Sequence, residues 1–326
     1  MKQADLILGT MTFGESVFAP DVKEFIRIFL DAGYTELDTA YVYNDGNCER
    51  LLGEALHDLG RPYRIATKVN PRITGKLDKE AAYLQVNESL TRLKLSQVDT
   101  VFLHFPDPAT PVESVLEGME DLHKQGKFTE LGLSNFPAWM VADVWHICER
   151  NGWVKPTVYE GIYNPLTRKA EGELKDCLYH FGMRFYAYNP LAGGLLTGRY
   201  GAFEEEPTDG RFTHRPNYQK RYWRKSCFTG MELIKTAAEK NGITMIDAVY
   251  RWLCFHSMLN GDRGDGILIG ASKLSHLKQN MAAIQAGPLP ADVLAAFEEA
   301  WAAAKGDSPE YFTLYQGKGS VGGEKK

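Results

Sequence analysis

The chain has 326 residues, 44% hydrophobic and 24% charged, an ordinary globular composition that allows one large domain or two smaller ones. A net charge of −5 gives no basic surface for nucleic acid or an anionic membrane, and no apolar run reaches the roughly 18 residues that span a bilayer. The five cysteines are scattered without zinc spacing, and the first residues lack a secretory core, so the expectation is a reduced cytoplasmic protein without metal.

Strand-like and helix-like segments alternate from the start. A first strand closes near Thr10, and an amphipathic helix follows with Val22, Phe25, Ile26, Phe29 and Leu30 on one face, Asp21 as N-cap and Gly33 as stop. YTELDTA ends a second strand at Asp38, RIATK a third at Lys68 and VFLH a fourth at His104. Val112, Val115, Leu116, Met119 and Leu122 repeat the helical stripe, with Gly126 beyond. Further strand ends fall at Ser134, Glu160, Tyr188 and Gly270.

The first seven ends are 28, 30, 36, 30, 26 and 28 residues apart, about one βα unit each, and eight such units are the count of a (β/α)8 TIM barrel. The one irregular gap, 82 residues from Tyr188 to Gly270, holds a polar and aromatic stretch that reads as a long lid or binding loop. Helices near 228–241 and 244–257 follow it, and helices near 273–284 and 291–304 come after Gly270. The expectation is a single domain over 1–316 and a disordered Gly/Lys-rich tail over 317–326. Gly317, Gly319 and Gly322 fit the dinucleotide fingerprint G-x-G-x-x-G, but no strand precedes them and no helix follows, so the match is set aside.

In a parallel barrel the C-terminal strand ends share one mouth, which would make neighbours of Asp38, Lys68 and His104, with Tyr43 in the loop above the second strand. A carboxylate, a phenol, an ammonium and an imidazole together suit protonation of a carbonyl oxygen. Lys68 would lower the Tyr43 pKa, Asp38 would keep Lys68 charged, and His104 would orient the oxygen. Taken singly, each has a plain structural role: a turn cap, packing, a snorkelling lysine, a core histidine. Their placement at consecutive strand ends is what argues for a site. Ser134 and Asn135 suit a cofactor amide or a helix cap, and Tyr188 a planar ring or the core. Gly193 and Gly194 suit a pyrophosphate or a tight turn, and Gly270, Ser272 and Lys273 at a helix start suit an anion such as a 2′-phosphate.

The stretches TELDTAYVY, IATKVNP, GKFTELGLSNF, PTVYEGIYNPLTR and RFYAYNPLAGGLLTGRY resemble the aldo-keto reductases, most of all the aflatoxin-aldehyde reductase branch, and the likeness runs from LGTMTFG to about Tyr311. The resemblance implies a barrel that binds NADPH without a Rossmann fold, Tyr43 as proton donor, and a tetrad completed by Asp38, Lys68 and His104. It implies Ser134, Asn135 and Glu160 at the carboxamide and Tyr188 on the nicotinamide ring. The segment from Asn189 to Arg199, including Leu191, Gly193 and Leu195, would lie at the pyrophosphate, and Arg211 on the cofactor-facing loop. Gly270, Ser272, Lys273 and Asn280 would surround the adenosine 2′-phosphate, with His276 near the adenine. Tyr218 and Arg221 would face substrate, and Phe13, Tyr41, Phe105 and Trp223 would give the mouth an aromatic lining. The branch also suggests a homodimer.

Three positions depart from the family pattern. Glu160 stands where Gln is usual, and a carboxylate accepts from an amide but cannot donate. His276 replaces a Gln or Arg near the adenine, which softens the preference for NADPH. The terminal YFT lacks the Arg that helps the branch bind acidic substrates, with Arg221 as a compensating cation. The expected activity is reduction of an aldehyde or ketone by hydride transfer from NADPH. Its rivals are a redox-sensing regulatory subunit with slow turnover, or a reductase or dehydratase of one biosynthetic pathway.

Overall fold

The computed structural model describes residues 2–57, 59–205, 207–208 and 210–317. Eight strands close into a barrel: β1 (Asp5–Gly9), β2 (Glu36–Asp38), β3 (Arg64–Val69), β4 (Val98–Leu103), β5 (Phe128–Ser134), β6 (Pro156–Ile162), β7 (Arg184–Tyr188) and β8 (Gly266–Ile269). Each pairs in parallel with its sequence neighbours, and β8 returns to β1. The expected (β/α)8 architecture is present, with strand ends within two residues of the positions read from the sequence.

Parallel strands in a barrel are covered on both faces, and all four residues of β8 are buried. Inside the barrel, Ile7, Phe102, Val158, Tyr186 and Leu268 form a core of their own, distinct from the larger one between strands and helices. Gly132 makes room for this layer, because a Cβ there would stand 2.3 Å from the Phe102 ring. Phe102 is thus a floor, and the Lys68 ammonium lies 5.3 Å above its centroid.

Two local expectations are corrected. Asp21 is the first residue of the helix Asp21–Asp31 rather than its cap; its carboxylate lies beside the positive helix terminus without a capping hydrogen bond. The stretch read as a long loop contains two short helices, Arg211–His214 and Pro216–Tyr222, the second opened by a proline at its first position. Clustering of Tyr200, Phe212, Trp223 and Phe228 at centroid distances of 4.9–5.3 Å gives that segment its own apolar centre. Lys225–Lys240, Met245–Phe255, Leu274–Ala283 and Ala291–Ala304 are the later helices. The tail beyond Gly317, with Gly319 and Gly322, lies outside the described residues. No described helix is long and apolar enough to cross a membrane, and the five cysteines are free.

Candidate active site

Lys68 is the centre of the mouth. It sits on β3 with its side chain wholly buried, and its Nζ donates to Asp38 Oδ1 on β2 and to the Thr39 carbonyl at 3.0 Å. The third direction leads to Glu160 Oε2 on β6, 3.1 Å away. Burial works against the ammonium, but Asp38 and Glu160 together raise its pKa, so it stays charged. Burial also raises both carboxyls, against the pull of Lys68, and Glu160 is pushed up to about 8. A carboxyl so raised leans toward the acid form, which has one O–H donor and one acceptor oxygen, whereas the sequence led to the expectation of an accept-only carboxylate.

His104 follows β4 and is 9% exposed. Its pKa is held well below 6.5, first by burial and then by Lys68 and Arg72, so the ring is neutral. The tautomer follows from Asn70. That side chain accepts the Arg72 backbone N–H on Oδ1 at 3.0 Å, which leaves its Nδ2 facing His104 Nδ1 at 3.2 Å. Nδ1 accepts, and Nε2 carries the proton. Gln85 holds the Asn70 backbone at both N–H and C=O, 2.8 and 3.1 Å. Phe105 stacks on the imidazole at 4.8 Å, and the Arg72 guanidinium lies 4.4 Å over Phe105.

Tyr43 packs edge-on to His104 at 6.2 Å, and its ring centroid is 5.7 Å from Lys68 Nζ. Its pKa is raised well above 10, by burial first and then by Asp38 and Glu160. The shift is opposite to the expected lowering: burial and the two carboxyls outweigh the Lys68 ammonium beside the ring. The loop around Tyr43 is held from both sides. Tyr41 donates to Glu88 and stacks 4.0 Å from the Arg92 guanidinium, while the left-handed Asn44 donates to the Met11 and Phe13 carbonyls at 2.9 and 2.8 Å. Tyr41 is thereby tied to the helix Lys79–Leu93.

The far rim is a second network. Asn135 donates to the His104 carbonyl and to Ser134 Oγ, both at 2.9 Å, and accepts the Tyr188 hydroxyl at 2.8 Å. Asn189 accepts from Tyr218 at 3.4 Å. Asn135, Asn189 and Ala192 all have φ between 48° and 62°, uncommon for non-glycine residues and concentrated here at the mouth. Gly193 and Gly194 turn the chain at φ 70° and 108°; a Cβ on Gly193 would meet the Tyr218 ring at 2.7 Å, so that glycine admits a tyrosine. Leu191 flanks this turn and Leu195 is buried under it. The Arg211 and Arg221 guanidiniums lie 5.0 and 5.7 Å from the Tyr218 ring centroid. Past β8, Asn280 bonds the Gly270 carbonyl at 3.4 Å, and Ser272, Lys273 and His276 are exposed at the start of the helix Leu274–Ala283. Burial, Lys273 and Arg199 all lower the His276 pKa, which places those two cations beside it.

Two expected lining residues are elsewhere. Phe13 is fully buried and packs on Phe25 at 5.8 Å, because the loop after β1 folds back through a Phe13–Val17 bridge. Trp223 belongs to the aromatic cluster of the long segment and donates to the Phe203 carbonyl at 3.0 Å.

Residues 5–302 match the Aldo/keto reductase family. The chain is 43% identical to aflatoxin B1 aldehyde reductase member 2 of Mus musculus over 94% of its own length and 87% of that relative's. It is also 43% identical to human aldo-keto reductase family 7 member A3, over 94% and 96% of the two chains. Oxidoreductase sirO of Leptosphaeria maculans is 32% identical over 94% and 96%. The chain belongs to the aldo/keto reductase family. It is an oxidoreductase that reduces carbonyl groups with a nicotinamide cofactor.

The mouth of this aldo/keto reductase fits such a cofactor in its donor set. Asn189 Nδ2 is buried there with no hydrogen-bond partner among the described residues, a state that a polar ligand would relieve, and Glu160 Oε2 has the Lys68 ammonium at 3.1 Å. Asn70, Arg72, Gln85 and Thr39 were missed by the sequence reading. Only Asn70 carried a local signal, as an N-cap before the proline of NPR; the others act through partners distant in sequence.

Proposed function

We propose that the protein reduces an aldehyde or ketone with NADPH, and that Tyr43 is the acid. The observation that carries this reading is the arrangement around Lys68: a protonated phenol and a neutral imidazole stand over an ammonium braced between two carboxyls. The bound cofactor supplies the hydride. Tyr43 is fully protonated before reaction and gives its proton to the carbonyl oxygen as negative charge develops there. Lys68 steadies the phenolate left behind. His104 donates from Nε2 to the same oxygen and orients it, without competing as an acid, because it is already neutral.

Ser134, Asn135, Glu160 and Tyr188 would frame the nicotinamide, with Asn135 acting through its bond to Tyr188. Asn189 to Arg199 would follow the pyrophosphate. Lys273 and Arg199, with Ser272 and Asn280, would select the 2′-phosphate and so NADPH over NADH. Phe105, Tyr218, Arg72 and Arg221 give the substrate an aromatic and cationic surround, which suits aromatic aldehydes and dialdehydes. The decisive assay is NADPH-dependent reduction of 4-nitrobenzaldehyde by wild type and by Tyr43→Phe. The expected loss is about 10²–10⁴-fold in turnover with NADPH affinity unchanged. A variant that turns over near the wild-type rate would remove Tyr43 from its role. Tight NADPH binding with negligible wild-type turnover would favour a regulatory subunit instead.

A further inference from the structure

Two buried carboxyls share one ammonium at the mouth. Asp38 and Glu160 are each 3% exposed, and Lys68 contacts both. One positive charge balances one carboxylate; a second in so dry a site is strongly disfavoured. The pair therefore keeps a proton. Glu160 is where it resides more readily, since Lys68 directs its hydrogen bonds to Asp38 and the Thr39 carbonyl, and burial with Asp38 pushes the Glu160 pKa up to about 8.

We propose that Glu160 couples proton binding to the redox state of the bound nicotinamide, staying protonated beside the neutral reduced ring and releasing its proton to solvent beside the cationic oxidised ring. This rests on the reading of the protein as a nicotinamide-dependent reductase with Glu160 next to that ring. In the binding step only the O–H of Glu160 breaks and no electrons move. The departing proton leaves a carboxylate opposite the ring cation, which a low-dielectric site stabilises more than water does.

Apart from Asp38, the groups facing Glu160 do not titrate in the same window. Lys68 from β3 stays charged, while Tyr43 above β2 and Tyr188 from β7 are both raised, the latter to about 12. His104, beyond Lys68, is held neutral. Asp38 is the carboxyl with which Glu160 shares its proton.

The test is calorimetric titration with NADP+ and, separately, NADPH between roughly pH 6 and 9, in buffers of different ionisation enthalpy. Both ligands carry the same adenosine phosphates, so their difference isolates the ring. Expected for wild type is release of up to about one proton per NADP+ and an NADP+ affinity that rises by up to about tenfold per pH unit, levelling near pH 8, relative to NADPH. Glu160→Gln should release none and show a pH-independent affinity ratio. A flat ratio in the wild type, or proton release that persists in Glu160→Gln, overturns the coupling while leaving the reductase reading intact. If neither cofactor binds, the reductase reading falls and the coupling falls with it.

Discussion

The barrel carries an ionic cluster at each end, and the two differ in exposure and in charge balance: the N-terminal one is partly open to solvent and the C-terminal one is buried. At the N-terminal end, Arg184 grips Glu130 with both guanidinium branches at 3.2 and 2.7 Å, while Arg64 reaches Glu130 at 3.1 Å and Glu36 at 3.2 Å. Two cations face two anions, and although burial alone would raise it, the Arg184 hydrogen bonds hold the Glu130 carboxyl below its ordinary value. At the C-terminal end two carboxyls face one ammonium, and a carboxyl there is raised to about 8. A balanced cluster needs no shared proton to be neutral. An unbalanced one keeps a movable proton, and is a place where a ligand changes the charge state.

Four measurements would break or sharpen this contrast. Lys68→Met should be the most damaging, because it leaves two buried carboxyls without a cation; urea unfolding should show a loss of about 3–5 kcal/mol, and a loss below 1 kcal/mol would mean the carboxyls are already neutral without it. Asn70→Ala frees the His104 tautomer and should cost about 10²-fold in kcat with NADPH affinity retained. Unchanged kcat would show that His104 is oriented by the Phe105 stack instead. At the other end, Arg184→Met should cost about 2 kcal/mol of stability with kcat/KM unchanged, and a large kinetic effect would mean the two ends communicate.

The smallest effect is a slope. The Glu160 carboxyl titrates from an ordinary value of 4.5 in the unfolded chain and near 8 when folded. Between those values the unfolded chain has released a proton that the folded one keeps, so stability is full below the lower value and falls as pH rises toward the upper. The slope for the ligand-free protein should be about 1 kcal/mol per pH unit or less, and thermal melts of Glu160→Gln should lose it.

The strand ends were legible in the sequence because they depend on local pattern: apolar runs that stop at polar residues about thirty apart. That was enough to bring Asp38, Lys68, His104, Ser134, Glu160 and Tyr188 to one rim. Charge states were not legible, because each is set by partners from several elements. Tyr43 was expected to be acidified by Lys68, but burial, with Asp38 and Glu160 after it, outweighs that cation. Phe13 was placed at the mouth because it follows β1, yet the loop turns its ring into the core. The two short helices after β7 lack a strong apolar period and take their order from the Trp223 cluster, whose rings are spaced irregularly along the segment rather than at a helical repeat. Asn70 holds His104 through a side chain whose orientation is set by a helix cap, a relation that no spacing rule reveals.

The tethers on either side of Tyr43 bear on how turnover responds to temperature. With Tyr41 fixed to the outer helix and Asn44 to the loop after β1, the phenol has little rotational freedom to lose when a carbonyl arrives. On the proposed reading of Tyr43 as the acid, its ordering is completed at folding. The activation entropy of the protonation step should therefore be close to zero, and the barrier should be mainly enthalpic. Cutting one tether would leave the chemistry the same and make its rate depend on a search.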